Sequence, residues 1–176
     1  GVMVDASNTT NQPDNVVMNL CDTDLAGGWS ARPAMVQRED AVIYEVHVRD
    51  FTIDASSGVD ASKRGKYAGM FQAGTTLNGA GSIKTGIDHL KELGVTHVQV
   101  LPVYDFGSCS PMMIQDPTNT NPDPNPYPSD LCYNWGYDPV NYNVPEERYS
   151  MNKADHVARV REFKTMVDEF HKAGIR

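Results

Sequence analysis

Two runs rich in β-branched and aromatic residues, separated by one helix-like segment, constrain this sequence more than any other feature. The first, Ala41-Val42-Ile43-Tyr44-Glu45-Val46-His47-Val48-Arg49-Asp50-Phe51, reads as a mostly buried strand. Glu45, His47 and Arg49 alternate with apolar residues, so one strand face is expected to carry three polar side chains in succession. Ser82 can cap a helix whose Ile83, Ile87, Leu90 and Leu93 recur at helical spacing, and Gly94 stops it. Val95-Thr96-His97-Val98-Gln99-Val100-Leu101 follows at once as a second strand, ending at Pro102. Strand, helix, strand in this order is the outline of a right-handed parallel crossover. A further helix opens at Asp155, with Val157, Val160, Phe163, Val167 and Phe170 forming one apolar stripe and Gly174 as its stop. Ile175-Arg176 then enters a third strand.

Two strand–helix units with a third strand beginning fit either an α/β barrel or an open doubly wound sheet. No Gly-x-Gly-x-x-Gly turn follows either strand, which weighs against dinucleotide binding, and long loops after the strands' carboxyl ends favour the barrel. A complete barrel has eight such units in about 250 residues, so at most about a quarter of one is expected in 41–176. Residues 1–40 differ in character. They are polar, with one short apolar run at Asn15–Leu20, then Gly27-Gly28-Trp29 and Pro33, and read as one strand and a connector. A lone strand leaves its ladder unpaired, so 1–40 is expected to be the tail of a β-rich module that continues upstream.

Charge and composition exclude some partners. Fifteen Lys plus Arg against 23 Asp plus Glu give a net charge of −8, which disfavours a phosphate backbone, so nucleic acid is not expected as a partner. Apolar runs are only a few residues long, such as Val16-Val17-Met18, so no membrane crossing is expected either. Cys21, Cys109 and Cys132 lie far apart, in no metal-like spacing. Cys109 and Cys132 bracket a loop and can pair in an oxidising compartment or stay reduced. The chain opens at Gly1 without a basic-then-apolar leader, which leaves a cytoplasmic or a secreted location equally open.

The most informative chemistry sits in the long, proline-rich stretch 107–145. Long ordered loops carry an entropic cost and are usually functional. This one ends in Tyr133-Asn134-Trp135-Gly136-Tyr137-Asp138-Pro139. Flat aromatic rings beside amide and carboxylate groups suit a sugar, whose apolar face stacks while its rim hydroxyls take directional hydrogen bonds. Gly136 would let the backbone turn closely enough to aim Tyr137 inward. The plainer reading is that the aromatics pack under the loop and Asp138-Pro139 turns the chain.

That heptapeptide resembles the signature of type I pullulanases, debranching enzymes of the α-amylase superfamily (glycoside hydrolase family 13). So do Tyr44–Phe51 and the run Gly86-Ile87-Asp88-His89-Leu90-Lys91-Glu92-Leu93-Gly94-Val95-Thr96-His97-Val98-Gln99-Val100-Leu101-Pro102-Val103. The resemblance covers residues 14–176. It implies a (β/α)8 TIM barrel that follows β-sandwich modules and cleaves α-1,6 linkages in pullulan and branched starch-type glucans with retention. On it, 14–40 ends the sandwich module and links into the barrel, Ala41–Phe51 is the first barrel strand and Thr96–Leu101 the second. It implies Tyr137 as an aromatic platform for the sugar at the cleaved position, Asp138 shaping that pocket, and Asn134 and Trp135 walling it. The partner implied is branched α-glucan. Calcium binding and oligomeric state stay open, and no other cofactor or metal site is indicated.

A retaining glycosidase needs a nucleophile and an acid/base carboxyl about 5–5.5 Å apart. The family takes these from later strands, so this chain is expected to be an inactive fragment with no catalytic residue of its own. Local substitutes are unconvincing. Glu45 and Asp50 are five residues apart on a strand and face opposite ways. Glu146-Glu147 reads as a solvated pair, and His47 as a satisfied buried histidine. His89, His156 and His171 accompany no Ser or Cys nucleophile. An alternative is a non-catalytic α-glucan-binding or scaffolding piece that uses Tyr137 and Trp135. A sugar isomerase barrel is disfavoured by the missing metal-ligand cluster.

Overall fold

A computed structural model describes residues 2–5, 15–35, 37–106 and 135–176. Strands are β1 (Val2–Asp5), β2 (Asn15–Met18), β3 (Ile43–Val46), β4 (His97–Val100), β5 (Tyr104–Phe106) and β6 (Pro139–Pro145). Helices are α1 (Tyr67–Met70), α2 (Gly86–Glu92) and α3 (His156–Lys172).

The expected parallel pair is present. β3 and β4 run side by side, with Ile43 opposite His97 and Val46 opposite Val100, and α2 lies between them in sequence. The ladder continues on the far side of β4, where Arg176 N–H donates to the Thr96 carbonyl at 2.9 Å and the Arg176 carbonyl accepts from Val98 N–H at 2.8 Å. Ile175-Arg176 therefore does start a third parallel line, as read from the sequence. Both helices deliver the chain to the sheet through the same terminus. Gly94 and Gly174 adopt φ of +74° and +82°. Val95 N–H and Ile175 N–H then reach back to the carbonyls of Leu90 and Phe170, at 3.1 and 2.9 Å. These are Schellman closures, which need a left-handed residue at that point.

Several expectations are corrected. The first strand stops at Val46 because the chain turns at once, with Phe51 N–H bonded to the His47 carbonyl and Ile53 N–H to that of Arg49. Glu45, His47 and Arg49 thus share no strand face, and Asp50 lies outside the strand. Glu45 stays exposed and accepts from Gln99 at 3.1 Å, whereas His47 is buried. Ser82 does not cap α2. Leu77 N–H donates to the Ile83 carbonyl and Lys84 bridges Thr76, which holds 83–84 extended, so Thr85 precedes the first turn. Ile83 is exposed instead of packed. The N-terminal strand is not alone, since β1 pairs antiparallel with β2. Residues 139–145, expected within a loop, form β6, antiparallel to β5.

α3 follows the sequence reading closely. Asp155 caps it by accepting Ala158 N–H at 2.8 Å. Phe163, Val167 and Phe170 face the main core, while Val157 and Val160 pack on Met18 and Val144. Met166 and Phe170 meet Tyr67 and Met70 of α1 and Ile87 and Leu90 of α2 in that core. Each such burial is worth about 1.5–3 kcal/mol. Polar residues are buried on α3 too. Arg159 bonds His156 Nδ1 at 2.8 Å and faces Glu147 at 3.9 Å. Asp168 accepts from Ser30 N–H at 2.6 Å, and that bond, more than its ion pair with Lys172, holds its pKa down.

Candidate functional site

The carboxyl end of β4 opens into a cleft of about 560 Å³. Gln99, Leu101 and Val103 line it from the strand and its exit, Tyr104 and Pro145 from the β5–β6 hairpin, and Tyr137 from the aromatic segment. None of the described lining residues carries a charge.

Gly136 explains how the segment reaches this cleft. Its φ is +79°, and a Cβ there would lie 2.2 Å from the Pro102 carbonyl oxygen, a distance no side chain tolerates. Only glycine lets the 135–138 backbone lie on the exit of β4. Tyr137 then borders the cleft with its ring 60% exposed. Trp135 is 58% exposed and is not among the residues lining this cleft. Asp138 is half-buried. Asn134 lies outside the described residues, as do Cys109 and Cys132, while Cys21 is a free, exposed thiol.

Directly after Pro145 of the cleft lining, Glu146 belongs to a buried polar cluster that sequence reading missed. Glu146, taken as half of a solvated pair, is only 2% exposed. Its backbone N–H donates to the Val103 carbonyl at 2.8 Å. Its carboxylate accepts Arg148 N–H at 2.9 Å and Phe106 N–H at 3.3 Å, stapling β5 to the turn after β6. Burial, helped by the nearby Asp105 and Glu147 carboxylates, raises its pKa to about 7 against those two bonds. Tyr67 hydroxyl donates to the Glu146 carbonyl at 3.1 Å, and burial pushes its pKa up. Lys66 Nζ donates to the Arg148 carbonyl.

His47 is indeed a satisfied buried histidine. Its Nδ1 accepts Asp50 N–H at 3.2 Å, which leaves Nε2 to donate to the Tyr149 hydroxyl at 3.1 Å. Tyr149 in turn packs edge-on against Tyr67, with centroids 5.6 Å apart. The one local signal for this cluster is the short run Glu146-Glu147-Arg148-Tyr149. Its partners come from residues 47, 67 and 106, which no short-range pattern links. Among the described residues, no group of three His, Cys, Asp or Glu side chains is placed to hold a metal ion. Nor is any helix there long and apolar enough to cross a membrane.

No protein-family model matches the chain. It is 40% identical over 138 residues to the pullulanase of Bacillus subtilis (strain 168), covering 78% of this chain and 16% of that protein. It is 38% identical over 136 residues to the chloroplastic isoamylase 3 of Oryza sativa subsp. japonica, covering 77% of this chain and 14% of that protein. Among solved structures, the pullulanase of Paenibacillus barengoltzii in complex with maltohexaose and alpha-cyclodextrin is similar with a TM-score of 0.75 and 37% identity. That match covers 99% of this chain and 24% of the other. The chain spans less than a quarter of each of these relatives.

Proposed function

We infer from the pullulanase–isoamylase family, to which this chain belongs, that it forms part of a glycoside hydrolase that removes α-1,6 branches from glucans. Pullulan and branched starch-type glucans are its substrates, cleaved with retention by a nucleophile and an acid/base carboxyl on strands beyond those of this chain. The chain itself supplies part of the glucan cradle and no catalytic side chain.

The observation that carries this reading is the seating of the aromatic segment at the carboxyl end of β4, where Gly136 against Pro102 brings Tyr137 to a cleft whose described lining residues are uncharged. Active sites of (β/α)8 barrels lie at the carboxyl ends of their strands. The parallel β3–β4 pair, the α2 crossover and the ladder reaching Arg176 support that architecture for 41–176. Residues 1–40 are then the end of a β-sandwich module and its linker. Tyr137 is the platform under the sugar at the cleaved position, Asp138 shapes that pocket, and Asn134 and Trp135 help to wall it. The scaffolding alternative is not favoured, since the relatives compared are named as enzymes.

The test is kinetic. In the intact enzyme carrying this chain, Tyr137→Ala lowers kcat/KM on pullulan by about 100-fold, roughly 2.7 kcal/mol of transition-state stabilisation. Failure of the intact enzyme to release reducing ends from pullulan defeats the reading, as does debranching turnover by the 176-residue chain alone.

A further inference from the structure

A dislocation in the β5–β6 ladder places a second aromatic pair beside the cleft. Tyr104 pairs with Pro145, but the next residue, Asp105, pairs with Asn141, so Tyr142–Val144 are looped out of register. Such bulges commonly re-aim side chains next to functional sites. Two anchors fix this one. Asn141 Nδ2 donates to Asp105 Oδ2 at 2.6 Å on one side, and Val144 is buried against Met18 on the other. Between them Asn143 takes a left-handed φ of +63°, uncommon for a non-glycine residue, and breaks the alternation of the strand. Tyr142 and Asn143 are consequently both exposed, one after the other.

The result is a ledge. Tyr142 is 71% exposed, and its ring centroid lies 5.9 Å from that of Tyr104. Tyr104 and Asn143 line the same cleft as Tyr137, and Tyr142 stands outside that lining, joined to it through Tyr104. Within this chain Tyr142 buries little of itself and meets Tyr104 ring to ring. The cleft it adjoins offers aromatic faces and the neutral amides of Gln99 and Asn143, with no charged group among its described lining residues, which suits a neutral polyhydroxylated chain better than an ionic ligand.

We propose that the bulge in β6 presents Tyr142, backed by Tyr104, as a second stacking site that extends the Tyr137 platform and binds glucose units beyond the one seated on Tyr137. This rests on the glucan-binding reading of the cleft, and deepens it: the ledge makes affinity depend on chain length.

The experiment titrates linear maltotriose and maltohexaose, which contain no α-1,6 bond, into the intact enzyme carrying this chain. Tyr142→Ala and Tyr104→Ala are expected to weaken maltohexaose by about ten-fold while changing maltotriose less than two-fold, and Tyr142→Phe to retain the parent affinity. Tyr137→Ala is expected to weaken both sugars. An unchanged maltohexaose affinity in Tyr142→Ala, with Tyr137→Ala still weakening both, overturns the ledge and leaves the cleft reading standing. If neither sugar is affected by Tyr137→Ala, or neither binds the parent, the cleft reading fails and the ledge with it. Far-ultraviolet circular dichroism and an unfolding midpoint matching the parent accompany the expected result for Tyr142→Ala, because Tyr142 packs little of its surface.

Discussion

Glu146 carries its carboxyl group into an almost dry setting between β5 and the turn that follows β6, with Asp105, Glu147, Arg148, Tyr149 and Tyr67 around it. Folded, the group titrates near pH 7; its ordinary value is 4.5. Between those two pH values the folded chain binds more protons than the unfolded chain, so stability falls as pH rises. The contribution is fully present below about pH 4.5, is lost progressively up to pH 7, and amounts to about 3 kcal/mol. Arg148, 3.9 Å from the carboxylate, softens the loss without abolishing it. Glu146→Gln keeps one oxygen, able to accept one of the two N–H groups that the two carboxylate oxygens hold, and has no proton to lose. Urea unfolding of the intact enzyme at pH 5, 6 and 7 is expected to give a flatter stability profile for the variant than for the parent. Identical slopes would refute the assignment.

At the scale of elements, the helices depend on their ends. Asp155 satisfies one otherwise orphaned N–H of α3, so Asp155→Ala is expected to cost about 1 kcal/mol, read as a lower unfolding midpoint, with Asp155→Ser largely restoring it. An alanine variant as stable as the parent would remove the cap from the account. This cap, the glycine stops and the apolar stripe were legible in the sequence because all are local. The β5–β6 hairpin was not. Pro139 and Pro145 make the segment read as loop, yet they stand at the two ends of β6, where a missing N–H costs least. Asn143 also breaks the alternation that marks a strand. The β-branched run at 41–51 misled in the opposite direction, since carbonyls of His47 and Arg49 capture a turn that propensity does not register. Glu146 was misread because it is held by Tyr67 and Phe106, both distant in sequence. Of the proposed site, the heptapeptide stood out by composition alone, whereas the Tyr104–Tyr142 pairing depends on a register shift that only coordinates reveal.

At the scale of the whole molecule, the parallel sheet is open among the described residues. Among the described residues β3 has no strand on its other side, and Ile43, at its start, is 62% exposed, with exposed Val42 beside it. Unpaired strand edges with apolar side chains template further pairing. The isolated 176-residue chain is therefore expected to self-associate or to remain partly molten at micromolar concentration, measured by light scattering and near-ultraviolet circular dichroism. A monodisperse monomer with a sharp, cooperative melt would contradict this. A different consequence follows from the way the connector is strapped to α3. Ser30 is tied to Asp168 across 138 positions and Pro33 to Arg176 across 143, while Lys164 holds Thr23 and Asp24. During synthesis at ~5–20 residues per second, the connector must wait on the order of ten seconds for these partners to leave the ribosome. Contacts so remote in order slow folding, and until they close, the nascent connector is a natural client for a chaperone.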